Sequence, residues 1–278
     1  MQKQSFYCGT DIQRLTEAYI SSIDNAGNSS FIKTNIMTDQ NILILLLMSI
    51  GASFVQRVSG FGFGIFIMTV LPYLMPSYGE ATTLSGLLAS VTSLFISLKM
   101  RKHLSWKKLL PILCTFIVIS FFAVQFVAAA GDGTLKKILG CMLIFASIWF
   151  LFISKRIQLS PTIPVQVGMG TISGIMGGLF GMQGPPAVLY FVSTVKSKEE
   201  YMAIAQTYFI IGNMMMTLYR AKCGFLTESV GIAWCYGLAG VIIGTSLGAV
   251  VFKHISLDVL RKIIYVYMAV SGFIALVC

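Results

Sequence analysis

The chain has 278 residues, of which 56% are hydrophobic and only 11% charged, with a mean hydropathy of +0.83. A soluble domain carries about 25% charged residues because its surface faces water. The composition therefore excludes a soluble enzyme, a disordered regulator and a disulfide-stapled secreted domain, and leaves an integral membrane protein. The net charge of +10 reads as loop anchoring between apolar runs rather than nucleic-acid binding. The six cysteines form no C-x-x-C pair, and His103 and His254 sit between apolar runs. No cluster has metal-ligand spacing, so neither a metal nor a cofactor is expected.

Residues 1–40 read as a polar, weakly structured tail without the apolar core of a signal peptide. Met37, just before the first apolar run, is an alternative start. Beyond it the stretches free of Asp, Glu, Lys and Arg are 40–56, 58–79, 81–98, 109–131, 138–154, 157–195, 201–219, 229–252 and 263–278. A spanning helix needs about 20 apolar residues, and most of these runs predict one crossing each. The run 157–195 is too long for one straight helix: at 1.5 Å per residue it would extend ~58 Å across a ~30 Å hydrocarbon core. Its break is legible as Gly177-Gly178-Leu179-Phe180-Gly181-Met182-Gln183-Gly184-Pro185-Pro186. The segment 40–79, interrupted only by Arg57, carries a second break at Gly60-Phe61-Gly62-Phe63-Gly64, followed by Pro72 and Pro76. Glycine and proline at this density stop a helix.

The layout predicts an internal duplication, 40–156 and 157–278. Both broken segments end in a glutamate, Glu80 and Glu200, and three apolar runs follow each. The expected fold class is an all-α integral membrane protein with two pseudo-symmetric repeats, each a broken first segment plus three transmembrane helices, about eight to ten membrane segments in all. Paired broken helices are a signature of transporter folds whose substrate site lies between the repeats. If each broken segment folds back as a hairpin, the halves are inverted. The inner loops then hold Lys99, Arg101, Lys102, Lys107, Lys108, Lys155, Arg156, Lys196, Lys198, Lys253, Arg261 and Lys262, and the outer ones only Lys136, Lys137, Arg220 and Lys222. If each crosses once, the repeats are parallel and the bias nearly vanishes. The positive-inside rule prefers inversion; the nine residues between Pro186 and Lys196, enough for roughly half a bilayer, cut against it.

Gln56-Arg57-Val58-Ser59-Gly60-Phe61-Gly62-Phe63-Gly64 and the run from Gly177 to Tyr190 resemble the two signature segments of the TauE/SafE sulfite exporter family, as does the duplicated layout over 40–278. The resemblance implies a permease, working in export, for sulfur-containing anions such as sulfite, sulfonates or sulfoacetate. The residues read alone point the same way. Gly184 before Pro185 and Pro186 fits a helix start, and a half-helix N-terminus inside a membrane suits an oxyanion. Gly60, Gly62, Gly64 and Gly181 allow close approach to backbone, and Gln56 and Gln183 offer neutral donors. The bland reading of the glycines and prolines is kinking or close helix packing. Arg57 either grips the anion with its fork or snorkels to water as an anchor. Gln125, Gln206 and Asn213 are interhelical glue or pore lining. Beyond the tail, Glu80, Asp132, Glu199, Glu200, Glu228 and Asp258 all lie at the ends of apolar runs, which favours uncoupled anion movement over a proton-coupled pump. The expected partners are a small anion and the lipid bilayer, in a bacterial plasma membrane, with no nucleic acid. A membrane enzyme built on Ser59 lacks a histidine partner; an assembly or scaffold protein is the remaining alternative.

Overall fold

The computed structural model describes residues 39–148, 159–195 and 197–251, and every described element is helical. The polar tail up to Thr38, the last apolar run 263–278 and the end of the run 138–154 lie outside the described residues. In chain order the helices are α1 (Asp39–Ser59), α2 (Phe63–Ile67), α3 (Leu71–Leu74), α4 (Tyr78–Met100), α5 (Trp106–Ala129), α6 (Asp132–Ile148), α7 (Ile163–Phe180), α8 (Gly184–Thr194), α9 (Lys198–Lys222) and α10 (Glu228–Val251). Five described helices are long and apolar enough to cross a bilayer: α1, α4 with its trailing turn, α5, α7 and α10. Their outer faces carry side chains such as Leu47, Phe95, Phe122 and Val250, all more than half exposed. Such a surface suits hydrocarbon, where no water is available to solvate backbone.

Both predicted breaks are present, and glycine sets each one. α1 stops at Ser59 because Gly60 and Gly62 adopt φ of 83° and 101°, a region that L side chains avoid. α7 closes on Gly181 (φ 68°), whose N–H returns to the Gly177 carbonyl at 3.0 Å, while the Met182 N–H reaches Met176 at 3.3 Å. This left-handed C-cap satisfies carbonyls that a helix end would otherwise orphan. After each break the chain turns back. Gly62 packs beside Val55 and Phe66 beside Gly51, so α2 retraces α1. In the second half Gln166, in the first turn of α7, donates from Nε2 to the Tyr190 hydroxyl of α8 at 2.6 Å. That contact requires α8 to run back alongside α7.

The helices following the hairpins start alike. Ser77 Oγ accepts from the Glu80 N–H at 3.2 Å, and Ser197 Oγ from the Glu200 N–H at 3.1 Å; in each case Ser-x-x-Glu caps the first turn. Glycine spacing fixes the long pairings. Gly170, Gly174 and Gly178 of α7 face Thr115, Ile119 and Ala123 of α5 in rising order. Gly240, Gly244 and Gly248 of α10 face Ser49, Ser53 and Arg57 of α1 in the same way. Both pairs therefore run parallel, with backbones brought close by small residues four apart. α4 and α9 form the third main contact.

These pairings order the ends. The starts of α4 and α10 lie together, where Thr227 Oγ1 donates to Glu80 Oε2 at 3.0 Å. At the other end Lys108 Nζ, at the start of α5, donates to the Thr194 carbonyl (3.1 Å) and to Glu200 (2.7 Å). One expectation is corrected here. Arg220, counted with the outer loops, is a residue of α9 and is fully buried. The charge-free run ends at Tyr219, but α9 continues to Lys222 and Arg220 turns inward to backbone carbonyls.

Candidate functional site

The two glycine breaks meet in the interior. A Cβ on Gly64 would collide with the carbonyl oxygen of Gly181, so only glycine permits the contact. Beside this contact lies a cavity with an empty volume of about 340 Å³, lined by Gln56, the stretch Phe61 to Ile65, Ala89, Gly181 to Gly184, Phe209 and Asn213. Only about 30 Å³ of it is open to the centre of a water-sized sphere, room for a water or two. Its wall holds no ionisable side chain. Its polarity comes from amides and from backbone: the first turns of α2 and α8 both line it, and first-turn N–H groups have no intrahelical acceptor. At α8 the set of such donors is small, because Pro185 and Pro186 carry no N–H.

Hydrogen bonds fix the amides. Gln56 Nε2 donates to Ser93 Oγ (2.8 Å) and Gln206 Oε1 (3.1 Å), and Gln206 Nε2 donates to the Gly60 carbonyl (2.7 Å). Gln183 Nε2 donates to Asn213 Oδ1 (2.8 Å) and to the Phe209 carbonyl (3.2 Å). Ser173 Oγ bonds the Gln183 carbonyl and the Tyr208 hydroxyl. Thus α1, α4 and α9 hold the first break, and α7 and α9 hold the second. In this arrangement the donors of both glutamines are spent on protein partners, and the atoms without one are Gln56 Oε1 and Gln183 Oε1. With its Oδ1 engaged, Asn213 has Nδ2 to offer to the cavity it lines.

A family model described as sulfite exporter TauE/SafE matches residues 45–274. The chain belongs to that family. It is a multi-pass membrane protein, and the family is one of transporters. A relative from Cupriavidus necator, named as a probable sulfite/organosulfonate exporter TauE, is 23% identical over an alignment covering 70% of this chain and 78% of the relative. No solved structure matches the chain.

Of the residues singled out in this TauE/SafE chain, Gln56, Gly62, Gly64, Gly181, Gln183 and Gly184 line the cavity. Gly60 lies behind it, its carbonyl held by Gln206. Pro185 and Pro186 are buried in the first turn of α8 without being part of the wall. Arg57 is half-buried, one residue beyond Gln56, and its stem packs on Gly248 of α10; it too lies outside the wall. Gln206 is the glue between Gln56 and Gly60, whereas Asn213 serves as both glue and lining. Sequence reasoning passed over Ala89, Phe209 and Arg220. The first two are ordinary apolar helix residues with no local signal. Arg220 did carry one, since it lies next to an apolar run that follows a half-helix break in the same half of the chain.

Proposed function

We propose that this protein is a permease for a small sulfur-containing oxyanion of the sulfite, sulfonate or sulfoacetate class. It works in export across the bacterial plasma membrane, and binds the anion between two inverted repeats. The observation that carries the reading is the meeting of the two glycine breaks at a cavity lined by the N-terminus of α8, where free N–H groups and the helix dipole favour negative charge. The cavity residues Gln56, Gly62, Gly64, Gly181, Gln183 and Gly184 form the binding surface. Gly60, Pro185 and Pro186 shape it, and Arg57 stands at its margin. The repeat reading is supported by the matched order of helix, break, capped helix and helix in each half, and by the exchange of partners in which α1 pairs with α10 and α7 with α5. The basic residues from the end of α4 to the first turn of α5, Lys99, Arg101, Lys102, Lys107 and Lys108, gather at the end where α7 and α9 begin. The positive-inside rule makes that end cytoplasmic.

An inside-negative potential of 100 mV contributes about 2.3 kcal/mol to expulsion of each negative charge, so export of a monoanion needs no coupled ion. The test is flux of sulfite and of sulfoacetate from proteoliposomes at imposed potentials. Flux is expected to follow the potential and to persist without a pH or sodium gradient. Flux that collapses when the proton gradient is removed at fixed potential rejects uncoupled movement, and absence of flux for every such anion rejects the permease.

A further inference from the structure

Arg220 is the most deeply buried cation among the described residues, with no exposed surface. Its Nη1 donates to the Thr82 carbonyl (3.0 Å), and its Nη2 to the carbonyls of Gly177 (3.0 Å) and Gly178 (3.1 Å). These bonds tie α9 to α4 and to the last turn of α7, whose negative dipole end favours a cation. They leave Nε unpartnered. The ion pair among the described residues is Lys108 with Glu200, so no carboxylate pairs with the guanidinium, and the groups that bond it are backbone carbonyls. An uncompensated cation inside a membrane protein is expensive, and such residues usually mark ion paths.

Arg220 does not stand alone. Asn213, Thr217 and Arg220 share one face of α9 at helical spacing, opposite Tyr78, Thr82, Ser85, Gly86 and Ala89 on one face of α4. Asn213 Oδ1, Thr217 Oγ1 and Arg220 Nη1 all lie within 4.0 Å of where a Cβ on Gly86 would sit. Ser85 Oγ lies 3.7 Å from the corresponding point on Gly181, in the cavity wall. Tyr78 is within electrostatic reach of Arg220. The hydroxyls of Tyr78, Ser85 and Thr217 are buried and unpartnered, like Arg220 Nε. Other α4 hydroxyls are mixed: Thr82 and Thr83 bond to Gly79 and Ser90 to Gly86, whereas Thr92, further along the helix, is also unpartnered. A structural clamp explains the two Nη groups. It does not explain four unpartnered polar groups in one seam, each of which costs stability in a dry interior.

We infer that the α4–α9 seam is the route by which the anion passes between the cavity and the outer face, handed from Asn213 through Ser85 and Thr217 to Arg220 and Tyr78. Arg220 supplies the positive charge that the cavity wall lacks. The inference rests on the permease reading above and extends it to a path.

The experiment uses a cysteine-free full chain in proteoliposomes, with an anionic methanethiosulfonate reagent, carrying either Thr217→Cys or Ala89→Cys. The thiol introduced by Thr217→Cys should be modified, the modification should block sulfoacetate flux, and sulfoacetate, which unlike sulfite neither consumes the reagent nor cleaves the mixed disulfide, should protect it. Modification of Ala89→Cys without any of Thr217→Cys, in a protein that transports, overturns the seam and leaves the permease standing. A cysteine-free protein with no flux for any tested anion overturns the permease itself. In parallel, Arg220→Gln and Arg220→Lys are compared per folded molecule. Arg220→Gln should lower flux roughly tenfold or more, the scale of one lost bond to a charged group, and should abolish sulfite-dependent thermal stabilisation. A folded Arg220→Gln protein with normal flux overturns the role of Arg220. If that variant does not fold, Thr217→Val carries the test: reduced flux with an unchanged melting temperature supports the path, and unchanged flux overturns it.

Discussion

At the scale of single residues, two glycines of the same motif class have opposite tolerances. A methyl group on Gly64 runs into the Gly181 carbonyl, a backbone atom that cannot move aside, whereas a methyl on Gly184 meets Phe61 and Phe209 at 3.5–3.6 Å, ordinary contact. Gly64→Ala should therefore cost stability on the order of 3 kcal/mol and abolish transport, while Gly184→Ala should melt close to the parent. Thermal unfolding in detergent compares them directly. Arg57 separates its two readings in the same way. Its stem lies on Gly248 and outside the cavity wall, so Arg57→Lys should transport normally per folded molecule, since either cation serves at a water-facing anchor. A loss with Lys as deep as that with Ala would place the guanidinium fork on the anion.

At the scale of elements, stability rests on close backbone approach more than on burial of large side chains, because lipid offers apolar groups as good a home as the protein does. The contact of α1 with α10 shows this. A Cβ on Gly244 would strike both the Ile50 carbonyl and Ser53. Gly244→Ala should push the two helices apart and lower the melting temperature. The equivalent change at Gly231, where nothing lies within 4 Å, should leave it unchanged. The hairpins obey a different rule. α8 has 11 residues, about 16 Å of helix, so it reaches only partway through a ~30 Å core. Its N-terminus therefore ends inside the protein, where the few N–H groups that Pro185 and Pro186 leave, Gly184's among them, need a partner or a ligand.

For the whole molecule, the exchange of partners between halves makes each long pairing a contact between the first half and the second. α1 leans on α10 and α7 on α5, while α4 and α9 cross between them. Relative movement of the halves would therefore act directly on the α4–α9 seam and on the cavity. The orientation is testable on the same frame. Gly133, at the exposed start of α6, and Ser197, at the exposed start of α9, lie at opposite ends of the bundle. An impermeant maleimide should label Gly133→Cys in intact cells, and Ser197→Cys only after permeabilisation. Labelling of Ser197→Cys from outside would reverse the orientation.

The sequence by itself determined the membrane class, the all-helical character, both breaks and the helix starts that follow them. Each depends on local physics: apolar run length against bilayer thickness, glycine at positive φ, and serine capping three residues before glutamate. The TauE/SafE motifs also named the family, and they pointed to six residues that the fold brings to one cavity. Only the tertiary structure decided which chemistry each residue carries. The donors of Gln56 and Gln183 look available in the sequence, yet Ser93, Gln206 and Asn213 from distant helices consume them. Arg57 and Arg220 are equally basic as letters, and no local rule separates the one packed at the margin from the one buried among three carbonyls. That difference is set by where α9 crosses α4 and α7, through contacts between residues as far apart in sequence as Thr82 and Arg220.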